Sequence, residues 1–305
     1  MVTRRAVLLG SAAMAIAPHF AFGRGRSLEL WPDTPPGGGG PTGPVLISPR
    51  GSITNVVIPS LEVVEPANPS GSAVLIAAGG GYKRIQIGKE AYPAANWLTE
   101  RGVTTFILSY RLPNEGWHAG ALAPLQDIQR AIRQIRSQAR HFRIDPEHLG
   151  LLGFSAGGHL AGMAAARSDY ASYSPIDTID ELSARPSVAA LIYPVITLKP
   201  PFDKTWTRRL LVGEKPDPND SANWSVETHV KADCSPVFLV HAADDEIADP
   251  ANSKIMAAAC QHAGVPVEFH LLPSGRHGFP LTSGGPPAMN WPGWLEAWLR
   301  KNGFL

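Results

Sequence analysis

With only two cysteines in 305 residues, this chain has no disulfide framework, and no Cys/His spacing in it suits a zinc site. Charge is scarce and balanced: 17% of residues are charged and the formal net charge is +1, so nucleic acid or an acidic polymer would find no footprint here. There is no internal repeat and no heptad run, which excludes solenoids and coiled coils. What remains is a chain that is 44% hydrophobic and long enough to bury one large core, the size of a single α/β domain.

The most informative stretch is Gly153-Phe154-Ser155-Ala156-Gly157. It has the G-x-S-x-G form, lies between an apolar strand (His148 to Leu152) and a helix rich in small residues (Gly158 to Ala166), and so reads as a nucleophile elbow. A serine hydroxyl is a weak nucleophile. An enzyme that uses one exposes it on a sharp turn beside a base and backbone donors, with glycines where a side chain would clash.

Alternating apolar strands and helices surround the elbow. Strands are expected at Ala73–Ala77, Val103–Tyr110, Val188–Tyr193, Val237–His241 and Val267–Leu272. Helices are expected at Tyr92–Arg101, Leu122–Phe142, Ala251–His262 and Trp291–Lys301. Near-continuous apolar strands between helices predict a mostly parallel sheet of about eight strands with helices on both faces. Right-handed crossovers then gather the strand C-termini on one edge, where such sheets place their sites. At the start, Thr54–Ile58 and Leu61–Val64 read as an antiparallel edge hairpin, preceded by a Pro/Gly-rich lead-in over 24–52. The domain proper is expected over 53–305, with a lid-like insertion near 197–233, a connection too long for a plain loop.

Residues 1–23 differ from the rest. Thr3-Arg4-Arg5-Ala6-Val7-Leu8-Leu9 opens an alanine-rich apolar stretch that exits through small residues near Ala21-Phe22-Gly23. This is the pattern of a twin-arginine export signal, its apolar core too short to span a bilayer comfortably as an anchor. It predicts a bacterial periplasmic or secreted protein, exported already folded and without a stable membrane span. In an oxidising compartment Cys234 and Cys260 are able to pair. Their expected places, at a strand start and late in the following helix, favour two free buried thiols instead.

A serine nucleophile needs an imidazole base, an acid that orients it, and rigid N–H donors for the oxyanion. His277 lies in a glycine-flanked loop after the last strand, and Asp245 follows the strand before it, so the order Ser155, Asp245, His277 is the one this topology expects. Asp244 is the alternative acid, with one of the adjacent pair free to cap backbone amides, and Asp249 is a third. The oxyanion donors are expected at Ala156 and in the run after the first central strand, at Gly80 and Gly81. Tyr82, Trp117, His118, Tyr193, Trp206 and Trp224 are candidate aromatic or polar contacts for substrate.

Together, Gly79-Gly80-Gly81-Tyr82, Ile87-Gly88-Lys89-Glu90, Ser109-Tyr110-Arg111-Leu112-Pro113, the elbow, His241-Ala242-Ala243-Asp244-Asp245 and His277-Gly278-Phe279 carry a resemblance. From about Leu30 to the C-terminus the chain is similar to a bacterial branch of the α/β-hydrolases that includes carbohydrate acetyl-esterases and feruloyl-esterase-like proteins, some labelled xylanases. The chain departs from that branch in Ala77-Ala78, where proline or histidine commonly precedes the glycines, and in Ile247-Ala248-Asp249. The resemblance implies a serine esterase acting on small-molecule or oligosaccharide esters of xylan type, with no metal or organic cofactor. Two other classes share parts of the pattern. A prolyl-oligopeptidase-like peptidase would bring a large extra domain, and a non-catalytic binding protein typically loses the serine or the histidine.

Overall fold

The computed structural model describes residues 26–281 and 290–305; the expected export signal over 1–23 lies outside them. The strands are β1 (Arg26–Glu29), β2 (Leu46–Ile47), β3 (Ile53–Thr54), β4 (Ser60–Val64), β5 (Ala73–Ala77), β6 (Thr104–Ser109), β7 (Leu149–Phe154), β8 (Val188–Ile192), β9 (Val237–Ala242) and β10 (Val267–Leu272). The α-helices are α1 (Tyr92–Thr99), α2 (Leu122–Ser137), α3 (Ala139–Phe142), α4 (Ala156–Ala166), α5 (Trp206–Val212), α6 (Pro218–Asn223), α7 (Ala251–His262) and α8 (Trp291–Lys301).

Eight strands form one sheet in the order β1-β4-β6-β5-β7-β8-β9-β10. Pairing is antiparallel for β1 with β4 and β4 with β6, and parallel from β6 to β10. Strands β5, β7, β8 and β9 are buried along their whole length, because helices cover both faces, and this is why they carry runs of Val, Leu, Ile and Ala rather than an alternating pattern. Helix α2 packs through Leu125, Ile128, Ile132 and Ile135, all buried at helical spacing.

Three expectations are corrected. The edge hairpin does not form: β3 pairs with β2 in a separate ribbon, and β4 takes β1 as its antiparallel neighbour. Asn55 adopts a positive φ of 56° and the N–H of Val56 donates to the Glu115 carboxylate at 2.9 Å, so the backbone that would have extended the strand is satisfied elsewhere. Among the described residues regular structure is therefore already present at Arg26, well ahead of Ile53. The long helix expected over Leu122–Phe142 is two, because Gln138, at φ −105°, leaves helical geometry between α2 and α3.

The stretch before β3 is fastened to the body. Trp31 Nε1–H donates to Asp127 Oδ1 at 2.8 Å, Arg130 Nε–H to the Leu30 carbonyl at 2.9 Å and Arg111 Nη1–H to the Pro36 carbonyl at 3.0 Å. Arg111 and Asp127 themselves form a salt bridge with no side-chain exposure on either partner. Cys234 and Cys260 are free and buried, and burial pushes their thiols up to about 11 and about 12.

Candidate active site

The parallel strands set the site. Ser155 follows β7, Asp245 follows β9, His277 follows β10 and the glycine run follows β5, so four loops meet at one edge of the sheet. Ser155 sits at φ 52°, ψ −117°, a strained backbone that turns the chain from β7 directly into α4. The closeness of that turn explains the elbow's second glycine. A Cβ on Gly157 would lie 2.0 Å from the Ala77 carbonyl oxygen, so only a bare backbone fits.

The Ser155 hydroxyl donates to His277 Nε2 at 2.8 Å, and His277 Nδ1–H donates to Asp245 Oδ2 at 2.7 Å. Asp245 Oδ1 accepts the N–H groups of Ile247 and Ala248, each at 2.9 Å, and His241 Nε2 lies 3.2 Å from Oδ2. Burial pushes the Asp245 carboxyl up, but the hydrogen bonds from His241 and His277 outweigh it and hold the group well below the usual carboxylate range. Asp244 is the residue that caps: its Oδ1 accepts Gly275 N–H and Arg276 N–H at 2.8 Å each, fixing the loop that carries His277. Asp249 accepts Ala251 N–H at the start of α7.

Gly80 and Gly81 line the same cleft as Ser155, with φ of 125° and 65° that only glycine adopts without strain. Their N–H groups and that of Ala156 donate to no protein acceptor among the described residues. The loop is braced from behind: Gly79 N–H donates to Glu90 Oε2 at 2.6 Å, and Tyr110 OH to the Ala78 carbonyl at 2.8 Å. Glu90 lies on a π-helical turn, Ile87–Ala91, a local widening that is frequent at functional sites. Burial raises its pKa, only partly offset by the Gly79 bond and nearby His277. Glu90 stands in the motif block quoted above, yet nothing in its spacing predicts that a π turn folds it back under the glycine run.

The aromatic candidates divide. Trp206 lines the cleft and is half exposed. Tyr193 is buried beneath it, its ring centroid 5.0 Å from that of His277 and 4.7 Å from that of Phe279, with its hydroxyl donating to Glu90 at 3.4 Å. Tyr82 is buried and donates its hydroxyl to His159 Nδ1 at 2.9 Å, while His159 Nε2–H donates to the Trp224 carbonyl at 2.7 Å. Burial lowers the His159 pKa to about 4, so its imidazole is neutral and both bonds are made by one tautomer. Trp117 and His118 lie against the N-terminal stretch: Trp117 pairs with Gly39, and His118 Nδ1 bonds the Gly37 carbonyl at 3.1 Å.

The cleft holds about 310 Å³ and takes Thr205, Trp206 and Thr207 from the 197–233 stretch. The start of that stretch is anchored to α7 and to a later turn of the stretch itself. Asn252 Oδ1 accepts Ile196 N–H and Thr197 N–H at 2.8 and 3.0 Å, and Ser225 Oγ accepts Leu198 N–H at 2.8 Å.

A mostly parallel sheet with a serine elbow after a central strand and a histidine after the last one is the architecture of the α/β-hydrolases. Within that class the chain belongs to the BD-FAE family, whose model matches residues 61–260. It is 31% identical over 218 residues to an acetylxylan esterase of Xylanibacter ruminicola, covering 70% of this chain and 42% of that protein. It is also 31% identical over 210 residues to endo-1,4-beta-xylanase B of Butyrivibrio fibrisolvens, covering 69% of this chain and 33% of that protein. The chain thus spans less than half the length of these curated relatives. Among solved structures, the acetyl ester-xyloside bifunctional hydrolase of Caldicellulosiruptor lactoaceticus superposes with a TM-score of 0.77 at 33% identity, covering 92% of this chain and 98% of that one. Esterase 2 of Thermogutta terrifontis, with propionate bound, shares the fold at 23% identity, with a TM-score of 0.67 and 86% and 95% of the two chains covered.

Proposed function

We propose that this protein is an exported serine carboxylester hydrolase that deacetylates carbohydrate esters of xylan type. The observation that carries the reading is the unbroken line from the Ser155 hydroxyl through His277 to Asp245, beside amides that have no acceptor among the described residues. Ser155 Oγ attacks the ester carbon as its proton passes to His277 Nε2, and Asp245 holds the imidazole in the tautomer that accepts it and stabilises the imidazolium that results. The N–H groups of Gly80, Gly81 and Ala156 receive the oxyanion. His277 then returns the proton to the leaving alcohol, and water, activated by the same imidazole, releases the acid from the acyl-serine.

The acetyl-carbohydrate assignment is supported by the chain's similarity to the Xylanibacter acetylxylan esterase and to the Caldicellulosiruptor acetyl ester-xyloside hydrolase. Export is supported by the twin-arginine pattern at Arg4-Arg5, and no helix among the described residues is long and apolar enough to cross a membrane. The test compares acetate release from acetylated xylo-oligosaccharides with hydrolysis of short-chain and long-chain p-nitrophenyl esters. Activity confined to long-chain or aryl esters rejects the acetyl-carbohydrate reading. Ser155→Ala is expected to lower turnover by several orders of magnitude with an unchanged melting temperature, and a fully active variant rejects the mechanism.

A further inference from the structure

The cleft over Ser155 is lined by three cationic side chains, Lys83, Arg84 and Lys89. Its one acidic side chain, Glu90, is 8% exposed and accepts Gly79 N–H through Oε2. Among the described residues none of the three cations forms a salt bridge, whereas Arg101, Arg111, Arg130, Lys199 and Arg300 elsewhere all do. Residues 1–25 and 282–289, outside the description, contain no Asp or Glu to supply a counter-charge. The local excess is not inherited from a basic chain, since Lys and Arg number 27 against 26 Asp and Glu.

Two of the cations have defined places. Lys83 Nζ sits 3.8 Å from the centroid of the Trp206 ring, the one aromatic candidate on the cleft wall. Lys89 Nζ lies close against the loop that carries His277, where a Cβ on Gly278 would come within 2.8 Å of it. A neutral acetylated sugar would leave this ring of positive charge unused.

We propose that the ester received by this cleft bears a carboxylate near the scissile bond: an acetylated sugar of the uronic-acid kind, or an oligosaccharide that carries one. The inference rests on the serine-esterase reading above and adds its substrate class. The sugar lies beside Trp206, whose ring carries the Lys83 ammonium over one face, and the carboxylate lies among the ammonium and guanidinium groups of Lys83, Arg84 and Lys89. One exposed ion pair changes binding by roughly 1.5- to 5-fold, so a carboxylate reached by two or three of these groups gains on the order of tenfold at low salt. Salt removes most of that gain, because the screening length falls to about 3 Å at 1 M.

The experiment measures kcat/KM on a minimal pair, mono-O-acetylated methyl glucuronide and mono-O-acetylated methyl glucoside, which differ only in a carboxylate for a hydroxymethyl group. The neutral uronamide serves as a shape control. At about 20 mM salt the uronate is expected to be preferred about tenfold over both neutral sugars, and the preference is expected to fall below about twofold at 1 M. The double variant Lys83→Gln, Lys89→Gln is expected to lose most of the preference at low salt, with its melting temperature confirming that it folds. Equal or poorer use of the uronate by the wild-type protein at low salt overturns the proposal without any variant, and so does a preference that salt leaves unchanged. p-Nitrophenyl acetate separates the two failures. No turnover of it means the esterase reading has failed, whereas turnover without a uronate preference means that only the substrate class has.

Discussion

His159 makes folding stability depend on pH over a defined window. Its imidazole joins Tyr82, next to the glycine run, to the Trp224 carbonyl in the 197–233 stretch, and it is fully buried. Burial lowers its pKa from 6.5 to about 4 in the folded protein. Between those values the unfolded chain binds a proton that the folded one does not, so stability is complete above about pH 6.5 and is lost as the pH falls toward 4. At about 1.4 kcal/mol per pH unit, this single group removes about 3 kcal/mol across the window. The informative perturbation is His159→Gln, since a glutamine amide can still donate to Trp224 and accept from Tyr82 but does not titrate there. Urea unfolding followed by tryptophan fluorescence at pH 7.5, 5.5 and 4.5 gives the slope for each protein. The variant is expected to be about 1–2 kcal/mol less stable at pH 7.5, having lost a well-packed ring, and to lose about 2.5 kcal/mol less than the wild type between pH 7.5 and 4.5. Other titrating groups cancel in that difference. Equal slopes for the two proteins would refute the argument that His159 is held neutral.

Glu90 is expected to act as a positioning residue for the glycine run. Glu90→Ala should lower kcat on a small acetate ester by about 10- to 100-fold with little change in KM, and Glu90→Gln, whose amide oxygen still accepts Gly79 N–H, should recover most of it. A Gln variant as impaired as the Ala variant, or a loss seen only in KM, would count against this role. Asp127→Ala strands the Arg111 guanidinium in a buried site and should cost about 3–5 kcal/mol in urea unfolding; a loss below about 1 kcal/mol contradicts the packing described. Gly157→Ala places a methyl carbon 2.0 Å from the Ala77 carbonyl oxygen, so no folded, soluble protein is expected on expression, and a variant that melts like the wild type refutes the close contact.

Legibility in the sequence followed the range of the interactions. The elbow, the strand before it and the helix after it depend on neighbours within about ten residues, and they stand where the pattern put them. Helices Ala251–His262 and Trp291–Lys301 and strand Val267–Leu272 match the expected bounds residue for residue. Ser155, Asp245 and His277 were readable as candidates because each follows a strand whose apolar run marks its own end, and the sheet brings them within hydrogen-bond reach. Strand β1 was not readable, because its mostly exposed Arg-Ser-Leu-Glu pattern becomes a strand only by pairing with β4, thirty-odd residues away. Tyr193 and Trp117 carry the same aromatic signal as Trp206, and only tertiary placement separates a ring beneath the histidine, or one held against Gly40, from a ring on the cleft wall.

The fastening of the N-terminal stretch sets a limit on how far the chain can be shortened from its start. A protease that cut after Glu29 would take away the outermost strand of the sheet. A cut a few residues later would also empty the indole's slot beside Asp127 and leave that carboxylate with one fewer donor. Trimming that preserves the folded body is therefore confined to peptide bonds upstream of Arg26, and a segment joined there would emerge at the sheet's outer margin.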